Sequence, residues 1–441
     1  MLERYLTLAA ACPDAAALID SATGAVTTRA ALLDRAEEIA ARFEGAGLRD
    51  GDVVAVRLPN SVDFVAAFLA ALKLRLVFAP IDRDAHDSEV AAIVDRFGIR
   101  ATLDVGHGCA VPNPGVRHGA AVPYKGKGDA RLLKLTSGSS GASKAIFWSE
   151  AHIAADCLAI CVTMGIAPDD INLGAIPFSH SYGFSNLVTP LLTQGTAVVF
   201  SNDYLPLSLI ELANRHRCTV APLIPMVFDH LAALPSNDGR FESVRTFVSA
   251  GAPLQASTSR RFRERYGIPI HSFYGCSEVG GITYDREGAA AERGTVGAPL
   301  DGVSVGVDAA QRLTVRSGSF DGLFTADDLA AIDAHGEVIL TGRVGDLINT
   351  AGKKVNPREV EEVILQIDGV HQAKVYGKPA GARGEVVAAA IVADPGVTRE
   401  LVREHCRARL SPHKVPRVVK MIERIPVDER GKVKRAALAQ L

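Results

Sequence analysis

The sequence predicts an α/β protein of doubly wound, helix-covered sheets, followed by a small β-rich subdomain and a smaller α+β domain. The chain has 441 residues, of which 48% are hydrophobic and 22% charged, so it can bury more than one core. β-branched runs alternate with helical patterns between residues 52 and 275, which is typical of parallel sheets covered by helices on both faces. After residue 295 the pattern changes to short strands and turns, and a last section of about 100 residues is long enough for a domain of its own.

The first β-α-β unit is predicted between residues 52 and 81. A helical pattern at 28–50, which ends in a glycine-rich turn, precedes a β-branched strand at 52–58. The next helix begins at Asn60 or Ser61, since either side chain can cap its first turn, and a second strand spans 77–81. A helix at 88–97 and a glycine- and proline-rich connection at 106–128 complete this part.

Strands and helices continue to alternate beyond residue 150. Helices are predicted at 150–164, 184–194, 207–215, 226–234 and 255–266, and strands in INLGAIP, TAVVF, TVAPLIP, TFVSAG and PIHSFYG. Parallel sheets bind ligands at the carboxyl ends of their strands, so functional residues are expected in the loops that follow these strands. The last section has predicted helices at 357–366 and 398–410, with two strands between them and one after.

A loop rich in glycine, serine and threonine follows an apolar run that starts at Leu132. Gly138 and Gly141 can adopt backbone angles that other residues avoid, so consecutive N–H groups can point into one concavity. Hydroxyl groups and a mobile charge are added by Thr136, Ser137, Ser139, Ser140 and Lys144. The spacing fits neither a Walker A loop nor the dinucleotide-binding Gly-x-Gly-x-x-Gly. The segment therefore predicts a phosphate-binding loop, with an ordinary flexible loop as the alternative.

Charge and cysteine usage exclude several classes of function. A formal net charge of −2 creates no field that would attract nucleic acid or an anionic membrane, so neither partner is expected and any phosphate site must be local. The seven cysteines include no C-x-x-C pair, which argues against a zinc site and for reduced thiols in a cytoplasmic protein. The longest apolar run, at 64–72, is too short to span a bilayer.

Six further segments complete the pattern that the predicted phosphate-binding loop begins. They are IPFSHSYGF (176–184), VSAGAPL (248–254), SFYGCSEVGG (272–281), TADDLAAID (325–333), GRVGDLINTAGKKVNPREVEE (342–362) and IPVDERGKVKR (425–435). In this order and spacing, the chain resembles the adenylate-forming superfamily of acyl- and aryl-CoA ligases, carrier-protein adenylation domains and luciferases.

The resemblance implies a two-step ligase that uses ATP, Mg²⁺ and a thiol. A small carboxylic acid would join the α-phosphate of ATP with release of pyrophosphate, and the acyl group would pass to CoA or to the phosphopantetheine of an acyl-carrier protein. The resemblance also implies an adenylation domain over residues 1–342, a hinge at 343–346 and a mobile C-terminal domain over 347–441. Gly345 stands where relatives often have a charged hinge residue.

Roles for single residues follow from the same resemblance. The loop from Thr136 to Lys144 would hold the β- and γ-phosphates, Glu278 would bind Mg²⁺, and Lys432 would bridge the acid carboxylate and the α-phosphate. Tyr274 would stack on adenine. The remaining nucleotide contacts would come from Gly251, Ala252 and Pro253 and from the neighbours of Tyr274, which are Phe273, Gly275, Cys276 and Ser277.

The ribose would be held by Asp328, which accepts both hydroxyls, and by Arg343. Asp327 is the adjacent rival of Asp328. Ordinary alternatives stay open for each residue taken singly: solvated surface charges for Asp328, Arg343 and Lys432, a charge at a helix N-terminus for Glu278, and a core aromatic for Tyr274.

The acid pocket is expected near His180, which matches the residue that gates this pocket in acyl- and aryl-CoA ligases; a hydrogen-bonded histidine at a helix start is the alternative. Phe273 stands where many relatives have a smaller residue, so the pocket should be shallow and favour an aryl or short acyl acid. Amino acids are not expected, because Phe178, Ser179 and His180 replace the acidic residue that holds an ammonium group. An enzyme that loads a carrier protein is the nearest rival, and a non-catalytic acyl- or nucleotide-binding protein is the rival of another class.

Overall fold

The computed structural model describes residues 1–104, 115–118, 128–136, 144–235, 239–350, 353–379, 385–426 and 438. The chain divides into two compact units. The first comprises Met1–Ser304 and Val315–Phe324, and the second comprises Val305–Thr314 and Thr325–Leu441. The predicted hinge at 343–346 remains a prediction.

Thirteen helical segments occur in the described ranges. They are α1 (Leu2–Ala11), α2 (Arg29–Gly45), α3 (Val62–Lys73), α4 (Asp87–Phe97), α5 (Glu150–Met164), α6 (Ser181–Gly183), α7 (Thr189–Thr193), α8 (Pro206–Arg215), α9 (Pro225–Ala233), α10 (Ala256–Tyr266), α11 (Ala290–Arg293), α12 (Pro357–Ile364) and α13 (Arg399–Arg407). A π-helical turn (Phe184–Val188) and a 3₁₀ turn (Val344–Asp346) are also present.

The strands of the described residues follow in chain order. They are β1 (Ala16–Asp20), β2 (Val26–Thr28), β3 (Val53–Arg57), β4 (Val77–Pro80), β5 (Ala101–Asp104), β6 (Gly115–His118), β7 (Ala130–Thr136), β8 (Lys144–Ser149), β9 (Ile171–Gly174), β10 (Ala197–Phe200), β11 (Val220–Leu223), β12 (Thr246–Ser249), β13 (Ile270–Cys276), β14 (Gly280–Tyr284), β15 (Ala298–Pro299), β16 (Ser304–Val307), β17 (Arg312–Arg316), β18 (Phe324–Ile332), β19 (Val338–Arg343), β20 (Ile348–Thr350), β21 (Lys353–Val355), β22 (Val370–Pro379), β23 (Glu385–Ala393) and β24 (Val418–Met421).

Two sheets with parallel centres build the first unit, which confirms the predicted α/β class. The larger has the order β15-β14-β13-β12-β11-β9-β10-β1-β2, and the strands from β13 to β1 pair in parallel. The smaller has the order β6-β5-β3-β4-β7-β8, with a parallel centre from β5 to β7. Both sheets end in antiparallel strands at their edges, which the alternating pattern did not predict.

Helix α3 lies at the centre of the largest core. Its residues from Phe64 to Leu72 are all buried, because the helix packs among other elements on every side. Phe64 and Phe68 contact Phe78 of β4, and Phe64 also contacts Phe178. Phe68 packs edge-on against Phe184. These rings connect the smaller sheet to the segment before His180.

The helix predicted at 184–194 is interrupted. Residues Phe184–Val188 form a π-helical turn, in which the N–H of Thr189 bonds to the carbonyl of Phe184, and α7 follows. Pro190 explains the change, since it has no N–H to complete an α-helical ladder at this point.

The second unit contains the β-rich and α+β parts that were predicted. A four-stranded sheet, β16-β17-β18-β19, lies mainly in this unit, and the hairpin β20–β21 and the sheet β22-β23-β24 follow. Helices α12 and α13 supply Val360, Ile364, Val402 and Cys406 to one apolar core with β23. Across the described ranges, no helix combines the length and the apolar character needed to cross a bilayer.

Candidate functional site

Glu278 lies in the tight turn between the antiparallel strands β13 and β14. The alternative of a helix N-terminus for Glu278 is therefore wrong. A Cβ on Gly275 would collide with the carbonyl of Gly280, and Gly280 itself has a φ of +74°. The turn needs both glycines, because only a residue without a side chain permits this approach and this backbone angle. Glu278 is half-buried, so the residue remains partly accessible.

Side chains from two other elements hold this turn. The indole Nε1 of Trp148, in β8, donates a hydrogen bond to the carbonyl of Ser277 at 3.1 Å. The hydroxyl oxygens of Ser277 and Ser181 lie 3.1 Å apart. Ser181 follows His180, so the predicted metal ligand and the predicted acid-pocket residue belong to connected segments.

The predicted adenine-binding residues meet at one edge of the larger sheet. Strands β11, β12 and β13 are parallel neighbours, so their carboxyl ends lie side by side. Gly251–Pro253 follow β12, and Tyr274 lies near the end of β13, where it is half-buried rather than part of the core. Gly251 has a φ of +89°, which only glycine adopts readily.

Cys276 is next to this site, and its surroundings disfavour the thiolate form. Burial, with the nearby charge of Glu278, raises the pKa of the Cys276 thiol to about 12. The thiol is therefore protonated at neutral pH, and a protonated thiol is a weak nucleophile.

His180 lies after β9, at the start of α6, and makes a side-chain contact that the sequence did not predict. Its Nε2 is 3.0 Å from Oδ2 of Asp82, which follows β4 of the other sheet. The side chains of His180 and Asp82 are 23% and 25% exposed, so the pair is reachable by a ligand. The side chain of His180 makes no helix-capping hydrogen bond. The histidine is oriented by a carboxylate, which places the proton on Nε2.

Asn60 and Ser61 have different roles. Ser61 caps α3, since its hydroxyl accepts a hydrogen bond from the N–H of Phe64. Asn60 is buried and its amide nitrogen lies 2.9 Å from the carbonyl of Ile176, while its Oδ1 accepts a 2.7 Å bond from the N–H of Phe178. Asn60 thus fixes the backbone just before His180.

Phe273 is a wall of an apolar cluster rather than an exposed residue. It is 8% exposed and its ring lies 6.0 Å from that of Tyr182. The Tyr182 hydroxyl donates to the carbonyl of Val248 at 2.8 Å, and burial raises the Tyr182 pKa, so the phenol remains a neutral donor. Ile160, Met164 and Leu300 pack around these rings. Both rings belong to one apolar cluster with Val248, which lies in β12.

A buried charged cluster lies behind the Glu278 turn, and sequence reasoning missed it. Lys134, in β7, is 5% exposed and its Nζ is 3.5 Å from the ring centre of Trp148. Asp156, in α5, is 4% exposed and accepts 2.8 Å hydrogen bonds from the N–H of Gly281 and the hydroxyl of Ser185. A lysine within an apolar strand pattern was the signal that could have indicated this cluster.

Burial shifts both charges of the cluster toward neutrality. It lowers the pKa of Lys134 to about 8, an effect that the negative charges of Asp156 and Glu278 partly oppose. Burial also raises the pKa of Asp156, and Lys134 and the two hydrogen bonds oppose this shift. Lys134 and Asp156 therefore stabilise each other's charged forms.

Asp328 and Arg343 face each other in the second unit. They are opposite residues of the antiparallel strands β18 and β19, and Nε of Arg343 is 3.0 Å from Oδ1 of Asp328. Asp327 points to the other face of the strand and is exposed. The structure thus distinguishes Asp328, which has a defined partner, from its rival.

Several predicted residues lie outside the described residues: Ser137, Gly138, Ser139, Ser140, Gly141 and Lys432. The same holds for the side chains of Thr136 and Lys144. The backbones of Thr136 and Lys144 are paired across β7 and β8, so the two ends of the predicted phosphate-binding loop are neighbours.

The described residues contain no group of three or more metal-ligating side chains. A single accessible carboxylate such as Glu278 nevertheless fits Mg²⁺, because this ion keeps waters and takes phosphate oxygens of a nucleotide as most of its ligands. Glu278 is the residue that would hold it.

Comparisons with known proteins show the family and the fold of the chain. A family model described as AMP-binding enzyme matches residues 7–318, and one described as AMP-binding enzyme C-terminal domain matches residues 359–432. The chain is 26% identical to feruloyl-CoA synthase of Amycolatopsis sp, over 93% of each protein. It is also 26% identical to 3,4-dihydroxybenzoate–[aryl-carrier protein] ligase of Bacillus anthracis, over 70% of this chain and 73% of that protein. ATP-bound MatB from Rhodopseudomonas palustris has the same fold, with a TM-score of 0.84 at 24% identity over 100% of this chain and 98% of the other.

Proposed function

We propose, because the chain belongs to the AMP-binding enzyme family, that it joins a small carboxylic acid to a thiol at the expense of ATP. The supporting observation is that the segments carrying His180, Gly251–Pro253 and Tyr274–Glu278 lie at or just after the carboxyl ends of strands of one sheet. An acid beside His180 would then lie next to a nucleotide beside Tyr274. This neighbourhood is what adenylation of a carboxylate requires.

The first step meets the problem that a carboxylate and a triphosphate repel each other. Lys144 and the loop of residues 136–144 would hold the β- and γ-phosphates, and Lys432 would neutralise charge between the carboxylate and the α-phosphate. Bound Mg²⁺ would supply charge at the phosphates, with Glu278 as its protein ligand. Asp328 and Arg343 would hold the ribose. The products of this step are an acyl-adenylate and pyrophosphate.

The acid is an aryl or short acyl acid in this proposal. Support comes from Phe273, which is buried beside Tyr182, and from the Tyr182 hydroxyl, which bonds to the Val248 carbonyl; we expect little room for a long chain beside these two rings. His180 contacts Asp82 and would present a polar group to the acid. A flat ring could pack against the aromatic wall.

CoA is the proposed thiol acceptor. The relative from Amycolatopsis is a CoA-dependent enzyme by its name, whereas the relative from Bacillus anthracis acts on an aryl-carrier protein, and this favours carrier-protein loading as the second candidate. Supplying CoA and a phosphopantetheinylated carrier protein separately, and weighing the products by mass spectrometry, distinguishes the two acceptors.

Acid-dependent exchange of pyrophosphate into ATP tests the proposed activity. A panel of benzoates, cinnamates and straight-chain acids from two to sixteen carbons should give exchange with aryl or short acids. If none of these acids supports exchange, the proposed ligase activity is contradicted and a non-catalytic binding protein is favoured. Preference for a sixteen-carbon acid would contradict the shallow pocket.

Two variants test the aromatic wall directly. Tyr182→Ala and Phe273→Ala should shift the substrate preference toward longer acids, because each variant removes a ring from this apolar cluster. Tyr182→Phe is the matched control, since it keeps the ring and loses only the hydroxyl, which contacts the carbonyls of Val248 and Leu223. An unchanged chain-length preference in both alanine variants would show that these rings do not limit the pocket.

A further inference from the structure

We propose that Lys134 and Asp156, two buried residues of opposite charge, position the Glu278 turn and set how strongly its carboxylate holds the metal of a bound nucleotide. This inference rests on the proposed function, in which Glu278 is the metal ligand. Neither residue is needed for any step described above. Both would act on the reaction only through Glu278.

Asp156 anchors the turn from the side of β14. One carboxylate oxygen accepts a hydrogen bond from the N–H of Gly281, 125 residues away in the sequence. The other accepts a hydrogen bond from the hydroxyl of Ser185, 29 residues away. A Cβ at Gly280 would collide with this carboxylate, so the turn closes directly against Asp156. Asp156 therefore joins the Glu278 turn to the π-helical turn that follows His180.

Lys134 acts on the same turn through Trp148. The ammonium group packs on the face of the indole, and the indole N–H holds the carbonyl of Ser277, the residue before Glu278. Lys134 is also two residues before Thr136, at the start of the predicted phosphate-binding loop. One buried side chain thus links the strand that leads to the phosphates with the turn that carries the metal ligand.

Packing alone does not explain why charged residues occupy positions 134 and 156. A methionine at position 134 would fill the same space without the cost of burying an ammonium group, and an asparagine at position 156 could still accept the Gly281 hydrogen bond. The positive charge of Lys134 acts on both Asp156 and Glu278. Asp156 offsets that charge, so Glu278 remains available to a metal ion instead of being neutralised by the lysine.

This balance predicts shifts of opposite sign in two single variants. In Asp156→Asn the lysine charge falls more fully on Glu278, so the Mg²⁺ concentration for half-saturation in the presence of ATP should rise at least threefold. In Lys134→Met the competing cation is gone, so that concentration should fall at least threefold. The double variant Lys134→Met/Asp156→Asn should lie within twofold of the wild type.

Trp148 provides a readout that does not depend on catalysis. It is the one tryptophan of the chain and it contacts both Lys134 and the Glu278 turn, so its fluorescence reports on this cluster alone. Emission is followed while Mg²⁺ is titrated into the full-length protein with ATP, and thermal unfolding of each variant is recorded in parallel. Arg131→Met is the matched control, because Arg131 is a buried cation on the same strand whose guanidinium bonds to the Ala130 carbonyl instead.

The outcomes separate cleanly. Opposite shifts in the single variants, near-wild-type behaviour in the double variant and no shift in Arg131→Met support the proposal. Shifts of the same sign that follow the loss of thermal stability, or no shifts, overturn it. If Lys134→Met does not fold, Asp156→Asn against the double variant carries the same test. The proposed function, and this inference with it, is overturned if the wild type shows neither a fluorescence change with Mg²⁺ and ATP nor pyrophosphate exchange. The inference alone is overturned if the wild type responds but the variants have the same half-saturating Mg²⁺ concentration as the wild type.

Discussion

Replacing Asn60 should lower the free energy of unfolding and displace the segment before His180. The Asn60 amide nitrogen lies 2.9–3.2 Å from the carbonyls of Gly174, Ile176 and Ser201, and its oxygen accepts from Phe178. Two amide hydrogens can serve two of these carbonyls well, so Asn60→Ala leaves about three buried groups without a partner. At about 1–3 kcal/mol for each such group, with partial relief by water, the expected loss is about 3–5 kcal/mol.

Asn60→Asp tests the direction of these hydrogen bonds. The side chain has the same shape, but an oxygen replaces the donating nitrogen and faces carbonyl oxygens. At neutral pH this variant should be at least as unstable as Asn60→Ala. The buried carboxyl should have a raised pKa in the folded state, so the folded state binds the extra proton and stability should recover as pH falls. The protonated carboxyl can then donate one hydrogen bond.

Urea unfolding, followed by circular dichroism, measures both variants, and the Michaelis constant for the acid reports on His180. Asn202→Ala is the control: its amide contacts the backbone of Asn60 from an exposed position, so it should cost less than about 1 kcal/mol. An Asn60→Asp protein as stable as the wild type at neutral pH would refute the reasoning, since it would show that the donor end of Asn60 contributes nothing.

Three further predictions concern the site. Burial lowers the pKa of Lys134 from 10.5 to about 8, so the folded state loses this proton at a lower pH than the unfolded state. The free energy of unfolding of the wild type, relative to that of Lys134→Met, should therefore rise between pH 8 and 10.5 by up to about 3 kcal/mol. Urea midpoints of the two proteins that change in parallel over this pH range would contradict the prediction. Gly280→Ala should lower the free energy of unfolding by more than about 2 kcal/mol, because Asp156 occupies the space that the Cβ needs. Gly302→Ala is the control: its φ of +78° is similar but its Cβ would meet open space, so the loss should be about 1 kcal/mol. Equal losses of stability in thermal unfolding would exclude the clash. Lys432→Ala should suppress adenylation strongly and leave ATP binding mostly intact, and an unchanged rate of pyrophosphate exchange would exclude its proposed role.

The sequence by itself determined the class of fold and the loops that carry the site. Side-chain periodicity along one segment depends on whether that segment is buried on one face, on two faces or around its whole circumference, so α3, the parallel strands and the C-terminal α+β part were predictable. Motif order placed His180, Gly251 and Glu278 after three different strands, and Tyr274 near the end of the last of them. Parallel pairing then brings their loops to one edge.

Other features depend on which elements become neighbours, and that was decided only by the tertiary structure. Asp82 meets His180 across 98 residues, Asn60 meets Phe178 across 118, and Asp156 meets Gly281 across 125. No local pattern encodes such partners, because they follow from the packing of two sheets around shared helices. Strand pairing, by contrast, brings Lys134 to Trp148 across β7 and β8 and places Glu278 in the turn between β13 and β14. Local periodicity reports how much of a segment is buried, whereas the identity of the buried neighbour is set by long-range packing.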